Sequence, residues 1–221
     1  IGAILGVLVR PIPELSFAEA AELAAFGAKV LHPATIQPAI EQKVPVTVRH
    51  TRRPDGRFTT ITGNVRSGRP VTALATRGPV TVLTVTSTRM LAQSGFLQKL
   101  FEVFARLRVS VDLIATAEVS VSMTVDSDAP LPVLLRELST FATVEAAEGR
   151  AIVAIVGDRL KQTSGLGARV FAALGDINVE MISMGANEIN LSLVVQYQER
   201  TEALRRLHRA LIEVQTPANI S

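Results

Sequence analysis

Two rhythms of apolar residues alternate in the second half of the chain, and the alternation occurs twice. Residues 80–86 (Val-Thr-Val-Leu-Thr-Val-Thr) and 151–156 (Ala-Ile-Val-Ala-Ile-Val) are β-branched and apolar, as strands are. Each run leads through a loop ending in Ser-Gly to a stretch of helical spacing, with Leu97, Leu100, Phe101 and Phe104 in the first and Val170, Phe171 and Leu174 in the second. Two further strands are expected at 109–114 and 118–125 in one copy and at 177–182 and 188–196 in the other. The first copy then has a helix at 133–141 and a strand at 142–146; the second has a helix at 201–212.

The copies align residue by residue at a step of about 70. Val82-Leu83-Thr84-Val85 meets Ile152-Val153-Ala154-Ile155, Met90 meets Leu160, Ser94-Gly95 meets Ser164-Gly165, Phe101 meets Phe171, and Val121-Ser122-Met123 meets Leu191-Ser192-Leu193. The order βαββαβ predicts tandem ferredoxin-like modules, α+β in class, each an antiparallel sheet with two helices on one face.

The region before the repeat reads differently. Arg10-Pro-Ile-Pro forbids helix, and Ser16 with Glu19 forms a capping box that opens an alanine-rich helix over 17–26, with Gly27 as its stop. A second helix runs from Pro33 to Gln42, and a short strand occupies 44–48. Residues 63–78 are polar, glycine-bearing and unpatterned, which reads as a linker or exposed hairpin. The expected units are 1–62, a linker at 63–78, and modules at 79–147 and 148–221.

Composition narrows the function classes. At 221 residues, 48% apolar and 19% charged, the chain has ample core for two or three compact units. It holds no cysteine, which excludes disulfides and thiolate chemistry and fits a reducing cytoplasm. Residues 1–9 are apolar but too short to span a membrane and lack the marks of a signal peptide. The missing initiator Met points to a fragment or to the ordered parts of something longer. Net charge is only +3, and the basic cluster Arg49, Arg52, Arg53 and Arg57, beside Pro-Asp-Gly and without stacking aromatics, reads as a solvated loop and not a nucleic-acid surface.

No catalytic constellation is visible. His32, His50 and His208 are scattered without metal-ligand spacing, and Gly165-Leu166-Gly167 reads as a tight loop opening a helix. Catalytic residues and metal ligands are therefore assigned to none. The informative polar residues converge where strand and helix ends meet. Unpaired N–H groups at Ser94-Gly95 suit a carboxylate, and Asp112, inside the apolar run Val111-Asp112-Leu113-Ile114, with Glu118 nearby, suits an ammonium. A surface carboxylate without a role is the plain alternative for Asp112.

These motifs resemble the aspartate kinases. The stretch from Phe17 to Pro33, Phe-Ala-Glu-Ala-Ala-Glu-Leu-Ala-Ala-Phe-Gly-Ala-Lys-Val-Leu-His-Pro, is similar to the end of that family's catalytic domain. The runs from Met90 to Leu97 and from Ser110 to Val121 resemble the effector elements of its first ACT domain, and Ser183-Met-Gly-Ala-Asn-Glu-Ile-Asn190 resembles its second. The resemblance implies an enzyme that phosphorylates aspartate with ATP and Mg2+ at the first step toward lysine, threonine and methionine, inhibited by lysine, with threonine as runner-up. It implies an effector site of Met90, Gln93, Gly95, Phe96, Leu97, Ser110, Val111, Asp112, Thr116 and Glu118, an ATP site touching Lys29 and Val30, and a cytoplasmic homodimer or higher homo-oligomer formed through the ACT modules. It also implies a nested arrangement, the second module inserted into the first, in which the chain after about Gln196 returns to complete the first sheet. The family's Lys-Phe-Gly-Gly motif and the acidic nucleotide-contacting segment expected between Val9 and Arg10 are missing from these residues, so this span alone is expected to be inactive. Ala117, where lysine-sensitive members often carry Ser, leaves the effector open. Two alternatives also stand: a free amino-acid-binding regulatory subunit, or part of a chain fused to homoserine dehydrogenase or diaminopimelate decarboxylase.

Overall fold

Ser16 begins the first helix as its sequence requires. In the computed structural model, which describes residues 12–26, 33–63, 65, 70–91 and 94–213, the Ser16 hydroxyl accepts from the Glu19 amide at 3.1 Å and Glu19 Oε2 accepts from the Ser16 amide at 2.9 Å. This capping box opens α1 (Phe17–Ala25), which buries Phe17, Ala20 and Leu23. Around it lie α2 (Pro33–Glu41) and a small sheet of β1 (Glu14–Ser16), β2 (Val46–Val48) and β3 (Thr59–Thr62), with β3 in the middle. The basic loop between β2 and β3 is exposed, and Arg49 stacks over Phe58 at 4.1 Å.

The repeat region builds one six-stranded sheet in the order β5-β6-β4-β7-β9-β8. Its two central strands, β4 (Ala73–Thr86) and β7 (Thr143–Val156), are 14 residues each and run through both modules. The later half of β4 pairs with the earlier half of β7 and with β6 (Ser120–Asp126); the earlier half of β4 pairs with the later half of β7, which also pairs with β9 (Asn190–Gln196). The registers shift between Arg77 and Val80, beside a cis Gly78–Pro79 peptide. The outer strands are β5 (Ile114–Thr116) and β8 (Met181–Met184).

This register runs counter to two expectations. Ala73 to Arg77, expected to be linker, form strand, because small and apolar residues alternate there against Ile152 to Val156. The chain after Gln196 does not return to the first sheet. It forms α6 (Arg200–His208) and a π-helical turn (Arg209–Glu213), burying Ala203, Leu204, Leu207 and Leu211 in the core of the second module. The missing strand of that module is supplied from upstream by the start of β4, so the first module is the inserted one.

Helices cover one face of each half. In module one, α3 (Phe96–Leu107) and α4 (Leu131–Leu138) pack Leu100, Phe104, Leu134 and Leu138 on Leu83, Val85, Val121, Met123 and Val125. In module two, α5 (Leu166–Leu174) and α6 pack Val170, Leu174 and Leu207 on Val153, Ile155, Leu191, Leu193 and Val195. On the other face, Ala73, Ala75, Ile152, Ala154, Val156 and Val194 join Leu15, Phe17, Leu23 and Ile61 in a third core. Residues 151–156 are consequently buried on both faces, which is why they read as an unbroken apolar run without alternation.

Candidate functional site

The strand register divides the sequence-predicted effector residues between two ends of module one. At one end, Ser94 and Gly95 open α3, Gly95 sits in the left-handed region at φ +93°, and both are exposed. Met90 and Phe96 there pack against the module core, Phe96 edge-on to Phe141 at 5.9 Å, while Leu97 is exposed. Thr116, paired with Val121, belongs to the same end because Ser120 lies opposite Thr86; Thr116 and Glu118 are both exposed.

Ser110, Val111 and Asp112 lie at the other end, beyond the C-terminus of α3. Strand was expected to begin at 109. Instead Arg108 takes a left-handed turn, at φ +55°, and residues 109–113 are irregular before β5 starts at Ile114. The Asp112 amide donates to Thr124 O at 3.1 Å, and the Leu113 amide to Thr124 Oγ1 at 3.0 Å, fixing this entry. Asp112 and Thr116 are four positions apart, at most about 13 Å along an extended chain. The described members of the set thus fall into two groups along the strand. Gln93, Lys29 and Val30 lie outside the described residues, as does His32.

Asp112 is not a lone buried charge. Arg77 Nη1 donates to its Oδ1 at 2.8 Å, while Arg77 Nη2 donates to both oxygens of Asp126 at 2.7 Å. The Asp112 side chain is 16% exposed, and its Oδ2 is buried with no hydrogen-bond partner. Burial raises its pKa above the ordinary carboxylate value; the Arg77 charge opposes that and the Asp126 charge adds to it. Neither Arg77 nor Asp126 was picked out from the sequence. Arg77 was hidden in a segment taken for linker, and only the alternating residues 73–76 ahead of it signal a strand.

Module two repeats this frame with different groups. The Glu180 amide donates to Val194 O at 2.9 Å, as Asp112 does to Thr124, and Arg150 Nε donates to Glu180 Oε2 at 2.8 Å. Its loop before β9, however, is occupied. Asn187 Nδ2 and Asn190 Nδ2 donate to the two oxygens of Glu22 on α1, at 2.9 and 2.7 Å. One helical turn away, buried Glu19 accepts from Thr72 Oγ1 at 2.7 Å. Two carboxylates on one face of α1 thus grip the regulatory half of the chain, a pairing sequence reasoning missed because Glu19 was read only as a cap.

Among the described residues no three His, Cys, Asp or Glu side chains are grouped to hold a metal ion, so no residue here is assigned to Mg2+. Of the other histidines, His50 lies in the exposed basic loop and His208 is buried beside Glu213 at 3.1 Å. Among the described residues no helix is long and apolar enough to cross a membrane.

Residues 153–211 match the family model of the ACT domain. Lysine-sensitive aspartokinase 3 of Escherichia coli is 40% identical over 212 residues, covering 92% of this chain and 47% of that protein, so the chain spans about half the length of the curated relatives it matches. Structures of E. coli aspartokinase III superpose on 91% of the chain with a TM-score of 0.84 in a complex with aspartate and ADP, and on 92% with 0.80 in a complex with lysine and aspartate, each covering 47% of that protein. A C-terminal regulatory domain of aspartate kinase from Porphyromonas gingivalis is 36% identical, with 96% of its length and 63% of this chain covered, at a TM-score of 0.57. With paired ACT modules packed against α1, this chain belongs to the aspartokinase family and is chiefly its regulatory part.

Proposed function

We propose that the protein carrying this chain is an aspartate kinase of the cytoplasm, transferring phosphate from ATP, with Mg2+, to the side-chain carboxylate of aspartate, and that module one senses lysine as its feedback inhibitor. The observation that carries the regulatory reading is the contrast between the two loops: the ligand-side positions of module one are open, while those of module two hold Glu22. The E. coli relative is called lysine-sensitive, and one of its structures contains lysine and aspartate, which supports lysine over threonine. The lysine carboxylate meets the N–H groups of Ser94 to Phe96 at the α3 N-terminus, and an ammonium meets Asp112 or Glu118.

The split of these residues favours a site completed by a second copy. Strand β5 is an edge, with exposed Ile114 on it, and edges invite pairing. Two β5 edges meeting about a two-fold axis set the Asp112 end of one copy against the Gly95 and Glu118 end of the other. Calorimetric titration with lysine and threonine tests the effector. Asp112→Ala is expected to weaken lysine binding by about 2–5 kcal/mol, thirtyfold or more; equal affinity in both proteins would reduce Asp112 to a surface carboxylate. Sedimentation tests the dimer, which a strict monomer at tens of micromolar, with and without lysine, would refute. The 221-residue chain by itself is expected to transfer no phosphate from ATP to aspartate, since its sequence lacks the family's Lys-Phe-Gly-Gly phosphate-binding motif.

A further inference from the structure

The Arg77 side chain stands at a junction that neither module explains alone. It projects from the early half of β4, the segment that completes module two, yet both carboxylates it grips, Asp112 and Asp126, belong to module one. We propose that Arg77 is the built-in stand-in for the effector's ammonium group, holding Asp112 while the site is empty and yielding it when the effector binds. This rests on the effector reading above.

A carboxylate as enclosed as Asp112 needs a cation at all times, whereas an effector comes and goes. Arg77 meets that need. Its guanidinium is forked, so Nη1 can leave Asp112 while Nη2 stays on Asp126, and the arginine never loses its counter-charge. Module two lacks this feature. Arg150 pairs with Glu180, but Gln196 stands opposite it in the register where Asp126 stands near Arg77, and its spare nitrogen goes to the Glu148 carbonyl. Only in module one does the arginine have a second carboxylate to fall back on. The buried, unpartnered Oδ2 leaves Asp112 further acceptor capacity for the incoming ammonium.

The exchange has a mechanical consequence. Five residues before Arg77 on the same stretch, Thr72 donates to Glu19 of α1. Releasing Arg77 from module one loosens the strand that links the sensing site to the kinase-side helix. Effector binding and strand release are then two descriptions of one equilibrium.

Lysine titrations of the full chain, wild type, Arg77→Gln and Asp126→Asn, at about pH 8, test this. With its competitor gone, Arg77→Gln is expected to bind lysine roughly tenfold tighter. With Arg77 committed wholly to Asp112, Asp126→Asn is expected to bind several-fold weaker, and the double variant is expected to match Arg77→Gln. Among the described residues the charges facing Asp112 are Arg77 and Asp126; removing Arg77 strips the favourable one, so the acid limb of lysine binding moves to higher pH in Arg77→Gln, a change that mere loss of packing does not make. Unchanged or weaker lysine affinity in folded Arg77→Gln overturns the exchange. Should that variant fail to fold, unchanged or tighter binding by Asp126→Asn overturns it. Wild type that binds neither lysine nor threonine removes the effector reading and this inference together, whereas normal wild-type binding that the variants leave unaltered removes this inference alone.

Discussion

The two modules share a frame and differ in what touches their open face and loops. Module one presents hydroxyls there: Thr84 bonds Ser122 at 3.0 Å, and Thr86, Thr143 and Glu145 are exposed beside them. Module two presents Ala73, Ala75, Ile152, Ala154 and Val194, covered together with Phe17 and Leu23 of α1. Thr116 and Glu118 are exposed in the first copy, where the second carries Asn187 and Asn190, locked on Glu22. The duplication has divided the labour. Module one keeps Thr86, Thr143 and Glu145 exposed although its Val80, Val82 and Leu113 join the same core, and module two gives its equivalent surface to holding α1.

Gly157 offers the most severe test of that difference. It follows β7 as Ser87 follows β4, and both amides donate to the loop opposite, Gly157 to Ile189 O and Ser87 to Val119 O. Over Gly157 the chain enters β4 so closely that a Cβ would lie 1.9 Å from the Pro70 carbonyl oxygen. Backbone, not a flexible side chain, blocks it. Gly157→Ala is expected to cost about 3 kcal/mol or more, enough to lower Tm by about 6–12 °C or to prevent folding. Ser87→Ala is expected to cost about 1 kcal/mol. Similar costs in thermal melts of the two variants would mean that β4 does not cross module two as described.

The docking contact comes next in size. Glu22→Ala removes an acceptor shared by two amide groups and leaves both without it, so about 2 kcal/mol of stability is expected to go. Lysine affinity at module one is expected to stay within twofold, because no effector residue touches Glu22. A large loss of lysine binding in this variant would break the division of labour.

Local chemistry explains how much of this was visible beforehand. Residues 80–86 and the Ser-Gly helix starts carry their periodicity and turn chemistry in themselves, and the capping box at Ser16 and Glu19 needs only four residues. Helices α3 and α5 could be placed for that reason; the strand after each starts later than its apolar run suggested, at Ile114 and Met181 instead of 109 and 177. What crosses between copies could not. Residues 73–77 pair with residues 152–156, 75 or more positions later, and only their own short alternation hints at a strand. The same holds for the site. Asp112 drew notice as a charge in an apolar run, yet its partner Arg77 is 35 residues upstream, inside what read as linker. The grip of Glu19 and Glu22 on Thr72, Asn187 and Asn190 likewise depends on the fold bringing α1 over module two.

The smallest expected effect separates the modules most cleanly. Gly95 and Gly165 start α3 and α5 with φ of +93° and +74°, and a Cβ at either would meet nothing within 4 Å. Replacing each by Ala therefore adds conformational strain without a clash, about 1–2 kcal/mol in both cases. Stability cannot tell the two apart, and matching shifts in Tm are expected. Ligand binding can. Strain at Gly95 moves the amides of Ser94 to Phe96 that the proposed site uses for a carboxylate, so Gly95→Ala is expected to lower lysine affinity by roughly tenfold, the loss of one charge-assisted hydrogen bond. Gly165→Ala, on the copy docked to α1, is expected to leave the titration unchanged. Equal losses of lysine affinity in both variants would make module two a second sensor, and an unaltered titration in Gly95→Ala would take the carboxylate site away from the α3 N-terminus.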